Sequence, residues 1–469
     1  MITPPGLKQY RYIYLLGIGG IGMSALARYF LADGKVVAGY DRTSTPLTDE
    51  LTKEGMQIHF EDNPELIGSE ISDPANRNKT LVIITPAVPS THQELQFFRS
   101  HDYQVVKRSQ VLGMLTKEHF TLAVAGTHGK TTTSSILAHI LHASGVNCTA
   151  FLGGISVNFG SNLLLGDTSK HGHKVVVEAD EFDRSFLTLF PDMAVITSMD
   201  ADHLDIYGDR NEMQNTYREF ASQVQEDGLL LYKSGLNPGE VKARTATYSI
   251  EDNTADYRAE EISVNNGRYE FNLVSPAFVL RGLSLGLPGR HNVENAVAAC
   301  ALAVESGLEP DKLKAALESY AGVHRRFEVH IRRPDLVYID DYAHHPEELR
   351  AAISSVKELY PHQNITGIFQ PHLFSRTRDF ADGFAESLSL LDKLYLLPIY
   401  PAREEPIPGV DSAMILKKVK IKNKQLITKE QLIPALRKEK PEVLITLGAG
   451  DIDQFIQPIK QLLETYTWL

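Results

Sequence analysis

Strand-like apolar runs and helical periods alternate along most of this chain. Residues 12–16 read YIYLL, then come Gly17-Ile-Gly-Gly-Ile-Gly22 and a helical pattern over 23–32. A second apolar run, 35–40, ends at Asp41, and a third, 80–85, runs into Pro86. Runs that are apolar throughout fit strands covered on both faces, and their alternation with helices predicts a parallel sheet with helices packed on it. The pattern restarts with a strand at 121–125, a helical stretch over 134–143, and apolar runs at 175–177 and 193–197. Over 243–287 the segments shorten, alternate, and carry an Asn-Asn-Gly turn, which predicts antiparallel hairpins. A helix then opens after Gly289 and another covers 311–320. Runs at 336–339, 365–369, 393–397 and 443–446 alternate with helical patterns and predict a second doubly wound unit.

Length turns this pattern into a domain plan. The 469 residues exceed one core, and about three domains are expected. The fold class is α/β throughout. Residues 1–115 form a Rossmann-like domain, 116–323 a central P-loop ATPase-like domain with antiparallel hairpins, and 324–469 a C-terminal Rossmann-like domain. A composition of 43% hydrophobic and 23% charged residues is that of an ordinary globular protein. The net charge of −12 argues against nucleic acid or an anionic membrane as the main partner. No apolar stretch reaches the roughly 18 residues of a membrane span, so no membrane insertion is expected. The first residues lack a signal-peptide core, which makes a cytoplasmic protein the expectation. Cys148 and Cys300 sit in apolar segments and read as buried, reduced thiols.

Candidate chemistry gathers at the ends of the apolar runs. Residues 125–133 read AGTHGKTTT between a strand and a helix, a geometry that points free N–H groups and a positive dipole end at one spot. This is a shortened phosphate loop, Gly126-x-x-Gly129-Lys130-Thr131, with Val124 where the general pattern has glycine. Lys130 suits the β- and γ-phosphates of ATP and Thr131 suits Mg²⁺. Gly17, Gly19 and Gly22 form a dinucleotide fingerprint, with Asp41 about twenty residues on for a ribose hydroxyl. Alone it leaves nicotinamide, flavin and UDP-sugar ligands open. Glu178, delivered to a strand end by three valines, can reach an ion held by Thr131. His203 stands among Asp200, Asp202 and Asp205, either as a ligand of a second ion or as a structural hydrogen-bonder. Asn292 and Asn295 share one helix face; Asn292 suits either an N-cap or an adenine edge. Asp340-Asp341-Tyr342-Ala-His344-His345 and Gln370-Pro-His372-Leu373-Phe-Ser-Arg376 follow two strands of the last domain. Together they suggest a closing face that carries Arg and Asp to the phosphates and an acceptor.

In order, GIGGIGMSALA, AGTHGKTTT, VEADEFDRSF, DADHLDIYG, GRHNVENA, HRRFE, DDYAHHPEEL, FQPHLFSRTRDF and LGAGD resemble the motifs of the Mur ligases of peptidoglycan synthesis, over residues 17–451. The resemblance implies an ATP-dependent, ADP-forming ligase that joins L-alanine to the lactyl carboxylate of UDP-N-acetylmuramic acid through an acyl phosphate. It implies ATP and Mg²⁺ as cofactors, a cytoplasmic place in cell-wall synthesis, and a monomer or homodimer. Gly17, Gly19, Gly20 and Gly22 would then hold the UDP diphosphate, with Asp41 nearby. Gly126, Thr127, His128, Gly129, Lys130, Thr131 and Thr132 would cradle ATP, with Asn292 and Asn295 at the adenine and Arg326 also at the nucleotide. Thr131, Glu178 and His203 would ligate metal. Lys130, Glu178, His203, Arg326 and Asp341 would carry catalysis, and Tyr342, His372 and Arg376 would receive the amino acid.

Two departures refine that reading. Sibling ligases support the second ion with a carbamylated lysine, whereas this chain offers Arg218 and no lysine at the corresponding distance past His203. That fits the alanine-adding branch. Leu373 stands where some relatives have a basic residue, which leaves Arg376 more of the amino-acid carboxylate. The alternatives are a ligase adding a recycled murein tripeptide to the same nucleotide and, in another class, an NAD(P)-dependent oxidoreductase built on Gly17 to Asp41.

Overall fold

The computed structural model describes residues 6–167, 172–200, 207, 209–265, 268–402 and 404–465. The chain falls into two compact units, Met1–Glu260 with Asn272–Leu283 and Glu294–Tyr320, and Glu261–Phe271 with Ser284–Val293 and Ala321–Leu469.

The first unit begins with a five-stranded parallel sheet. Its order is Gln57–His59, Val36–Tyr40, Tyr12–Leu16, Thr80–Ile84, Gln104–Lys107. All five residues of Tyr12–Leu16 are buried, as a strand with helices on both faces requires. The order reverses beside this first strand, so its C-terminal end opens a crevice where such sheets bind ligands. The loop Gly17–Gly20 sits at that end and leads into the helix Ile21–Ala32.

Seven more strands of this unit run Arg244–Ser249, Leu229–Lys233, Met193–Ile196, Phe120–Ala125, Lys174–Ala179, Cys148–Ser156, Ser161–Leu164. Phe120–Ala125 lies in parallel between Met193–Ile196 and Lys174–Ala179. The phosphate loop that follows it therefore receives side chains from both neighbouring strand ends. The helix after the loop starts at Lys130, one turn earlier than the apolar period indicated, and runs to Ala143. The expected antiparallel hairpins are corrected in part: Arg244–Ser249 pairs in parallel with Leu229–Lys233 and with the start of Tyr257–Asn265. Alternating polarity marks a half-exposed strand but carries no direction. A true antiparallel hairpin lies earlier, between Cys148–Ser156 and Ser161–Leu164.

In the second unit, six strands run Glu328–Arg333, Leu336–Asp341, Val443–Leu447, Ile365–Phe369, Lys393–Leu396, Asn423–Leu426. The first pair is antiparallel and the rest parallel. Val443–Leu447 inserts between Leu336–Asp341 and Ile365–Phe369, so the loops after these three strands share one sheet edge. Asp340 and Asp341 are the last residues of their strand, not of the following loop, and both are buried.

Candidate active site

The phosphate loop is held in shape by its own glycines and by the strand beside it. Gly126 and Gly129 have φ of +132° and +83°. At Gly129 a Cβ would stand 2.6 Å from Asn295 Oδ1, so the asparagine lies directly against the loop. Thr197 Oγ1 donates to the carbonyls of His128 at 2.5 Å and Ala125 at 3.1 Å. Ser198 Oγ accepts from His128 N at 2.8 Å, and Thr127 Oγ1 donates to the Asp200 carbonyl at 3.0 Å. Sequence reasoning missed Thr197 and Ser198; a polar pair ending an apolar strand was the available signal.

Lys130, Thr131 and two acids meet at the loop. Thr131 Oγ1 donates to Glu178 Oε1 at 3.0 Å, and Gly153 N donates to Glu178 Oε2 at 2.9 Å. A Cβ at Gly153 would collide with that carboxylate at 2.3 Å, which explains the glycine at this point of its strand. Lys130 Nζ donates to Gly126 O at 2.6 Å and lies 2.9 and 2.8 Å from the two oxygens of Glu181. Burial disfavours the ammonium, yet Glu181, Asp180 and Glu178 outweigh it and hold Lys130 above its usual range. The lysine is cationic where a polyphosphate would arrive. A hydroxyl and a carboxylate beside a phosphate loop are hard oxygen donors, the set that Mg²⁺ takes. His203 lies outside the described residues, as do Asp202 and Asp205.

A second cluster lines the sheet edge of the other unit. Asp341 accepts from Phe327 N at 2.8 Å and Ala343 N at 2.7 Å, and burial, opposed by Arg326, pushes its carboxyl up to about 6. The Arg326 guanidinium lies 5.1 Å from the Tyr342 ring. His372 stacks on Tyr400 at 5.7 Å, stands 6.0 Å from His344, and its Nδ1 is 3.4 Å from Arg376. Leu373 takes a left-handed φ of +69° and is fixed by its N–H bond to Tyr400 O. Tyr342, His372 and Arg376 are thus held along one edge, by Asp341 and the Leu373 turn. Part of the DDYAHHPEEL motif is a helix start: His345 caps Pro346–Leu359, with Pro346 at the first helical position. Asn292 is not an N-cap, because its helix starts at Arg290; its amide donates to Pro288 O at 2.6 Å.

Three family models match along the chain: the Mur ligase family catalytic domain over residues 12–120, the Mur ligase middle domain over 124–303, and the Mur ligase glutamate ligase domain over 325–450. The chain belongs to the Mur ligase family. Among curated Mur ligases, UDP-N-acetylmuramate–L-alanine ligase of Parabacteroides distasonis is 53% identical over 97% of this chain and 98% of its own length. The enzyme of the same name from Porphyromonas gingivalis strain W83 is 51% identical over 97% and 99%. Among solved Mur ligases, UDP-N-acetylmuramate-alanine ligase of Thermotoga maritima superposes with a TM-score of 0.79 at 28% identity, over 96% of this chain and 99% of that one. A murein peptide ligase of Psychrobacter arcticus shares the fold, with a TM-score of 0.70 at 23% identity over 98% and 100%. The Mur ligase fold is the three-domain α/β arrangement expected from the sequence.

The remaining candidate residues lie at the first glycine loop. Asp41 Oδ2 accepts from Gly19 N at 2.7 Å, so the acid braces the loop itself. Gly22 faces Arg108: a Cβ there would sit 2.4 Å from its guanidinium. Arg108 begins the helix Arg108–Glu118 and its guanidinium lies 3.5 Å from Asp180. A cation over a diphosphate fingerprint is a plain candidate for an anion contact. Sequence reading passed over it, since nothing near residue 108 marks its proximity to residue 22.

Proposed function

We propose that this chain is an ATP-dependent ligase that joins L-alanine to the lactyl carboxylate of UDP-N-acetylmuramic acid, releasing ADP and phosphate in cytoplasmic precursor synthesis. The observation that carries the proposal is the near full-length identity, 53% and 51%, to relatives bearing that activity as their name. The domain limits proposed for this ligase lie near residues 115 and 323.

The chemistry requires two anions, a carboxylate and a triphosphate, to react. Lys130 neutralises charge on the γ-phosphate as a lactyl oxygen attacks phosphorus and ADP leaves. The loop N–H groups from Gly126 to Thr132 hold the other phosphate oxygens. Alanine's neutral amine then attacks the acyl carbon, and the tetrahedral intermediate collapses with loss of phosphate. Thr131 and Glu178, with His203, would hold Mg²⁺, which supplies charge stabilisation when bound. Asn292, Asn295 and Arg326 serve the nucleotide, Asp341 fixes the turn that presents Tyr342, and Tyr342, His372 and Arg376 serve alanine. With Leu373 carrying no charge, Arg376 meets the alanine carboxylate. Gly17, Gly19, Gly20, Gly22 and Asp41 serve the UDP moiety.

Phosphate release measured with UDP-N-acetylmuramic acid and ATP tests this directly. Alanine is expected to support turnover and the tripeptide L-alanyl-γ-D-glutamyl-meso-diaminopimelate is not. Turnover with the tripeptide alone would assign the recycling reaction instead.

A further inference from the structure

Glu181 is a buried acid at the phosphate loop with no part in the mechanism above. Its side chain is 2% exposed, and both its oxygens face Lys130 Nζ, at 2.9 and 2.8 Å. A carboxylate so buried persists only beside its partner cation. Its backbone is fixed as well: Tyr207 Oη donates to the Glu181 carbonyl at 2.5 Å, and Arg184 N donates to the same oxygen at 2.9 Å. Asp183 and Arg184 just after it adopt left-handed φ of +54°, so the carboxylate is held by a turn with little freedom to relax.

Lys130 bears three N–H donors. Its ammonium stands within 3.4 Å of four acceptors, the carbonyls of Gly126 and Thr127 and the two Glu181 oxygens. The donors are therefore committed before any nucleotide arrives, and the long lysine side chain is confined to one position. Without Glu181 the ammonium would keep, among the described residues, its hydrogen bonds to the loop carbonyls and the longer-range pull of Asp180 and Glu178, and would swing on its flexible stem.

We propose that Glu181 is a positioning residue that fixes the Lys130 ammonium at the point where the γ-phosphate develops charge. The inference rests on the ATP-dependent reading above. Confinement of the lysine acts on the transferring phosphoryl group, whereas the loop N–H groups that hold the inner phosphates do not depend on it. Loss of the carboxylate therefore lowers kcat and binding of the γ-phosphate but spares ADP. A misplaced charge at a reacting centre costs up to about a hundredfold in rate.

The test compares wild type, Glu181→Gln and Glu181→Asp by steady-state kinetics with UDP-N-acetylmuramic acid and alanine. Calorimetric binding of ADP and of a non-hydrolysable ATP analogue, and thermal unfolding, complete the comparison. Glu181→Gln is expected to lose roughly tenfold to a hundredfold in kcat, to bind the ATP analogue more weakly, and to bind ADP as wild type does. Glu181→Asp is expected to recover part of kcat. Unchanged kcat in Glu181→Gln overturns the proposal. So does an equal loss of ADP and analogue binding that Glu181→Asp fails to relieve, because that marks a purely structural role. Should Glu181→Gln not fold, Glu181→Asp carries the test: a selective loss of analogue over ADP binding supports the proposal, and the absence of that selectivity overturns it. The binding measurements need neither acceptor, so they stay decisive if the sugar nucleotide or amino acid proves to be another.

Discussion

Gly129 has two independent reasons to be glycine. Its φ of +83° costs an L-residue about 1–2 kcal/mol, and an added Cβ would press on Asn295 Oδ1 at 2.6 Å. Gly129→Ala should weaken ATP binding by about tenfold or more, seen by calorimetry with the ATP analogue. Lys130→Ala removes charge stabilisation rather than shape and should cut kcat by about 10²–10³-fold, measured as phosphate release. Glu94, wholly buried in the first domain, accepts from Tyr14 Oη at 2.7 Å and Asn63 N at 3.2 Å. Burial raises its carboxyl from 4.5 to about 7, against the lowering effect of those bonds. The folded state thus holds a proton that the unfolded chain has lost. Its stabilising contribution is full below pH 4.5 and disappears as pH rises through about 7. Glu94→Gln should flatten the fall in stability over that window, as urea unfolding at pH 5 and pH 8 would report. At this scale the sequence disclosed the residues that occupy local motifs, such as Lys130, Thr131 and Glu178. It concealed Arg108, Thr197 and Gly153, whose roles depend on neighbours far along the chain.

Elements were legible where the hydrophobic period was strong. The strands leading to Gly17, Gly126 and Asp341 were all apparent as apolar runs, because strands covered on both faces admit little else. Pairing direction was not legible for Arg244–Ser249, since alternation reports exposure and not the route by which the chain returns. The strand end at Thr197 buttresses the phosphate loop through two hydrogen bonds. Thr197→Val keeps the shape and removes both, so it should cost about 1–3 kcal/mol of stability and raise KM for ATP more than it lowers kcat. Thermal unfolding beside a KM series checks both effects.

On the scale of the whole molecule, the family models run in sequence from residue 12 to 450. Any one motif, the first fingerprint above all, would have suited several chemistries. Their order decides for a ligase, and in the proposed reaction the phosphate loop, braced by Thr197, Glu178 and Glu181, would perform the transfer. The central claim is that a phosphoryl group passes from ATP to the lactyl carboxylate before alanine attacks. The most direct measurement uses UDP-N-acetylmuramic acid labelled with oxygen-18 in that carboxylate, with ATP and alanine, and mass analysis of the phosphate released. The account predicts one labelled oxygen in the phosphate for each amide bond formed; phosphate free of label would contradict it.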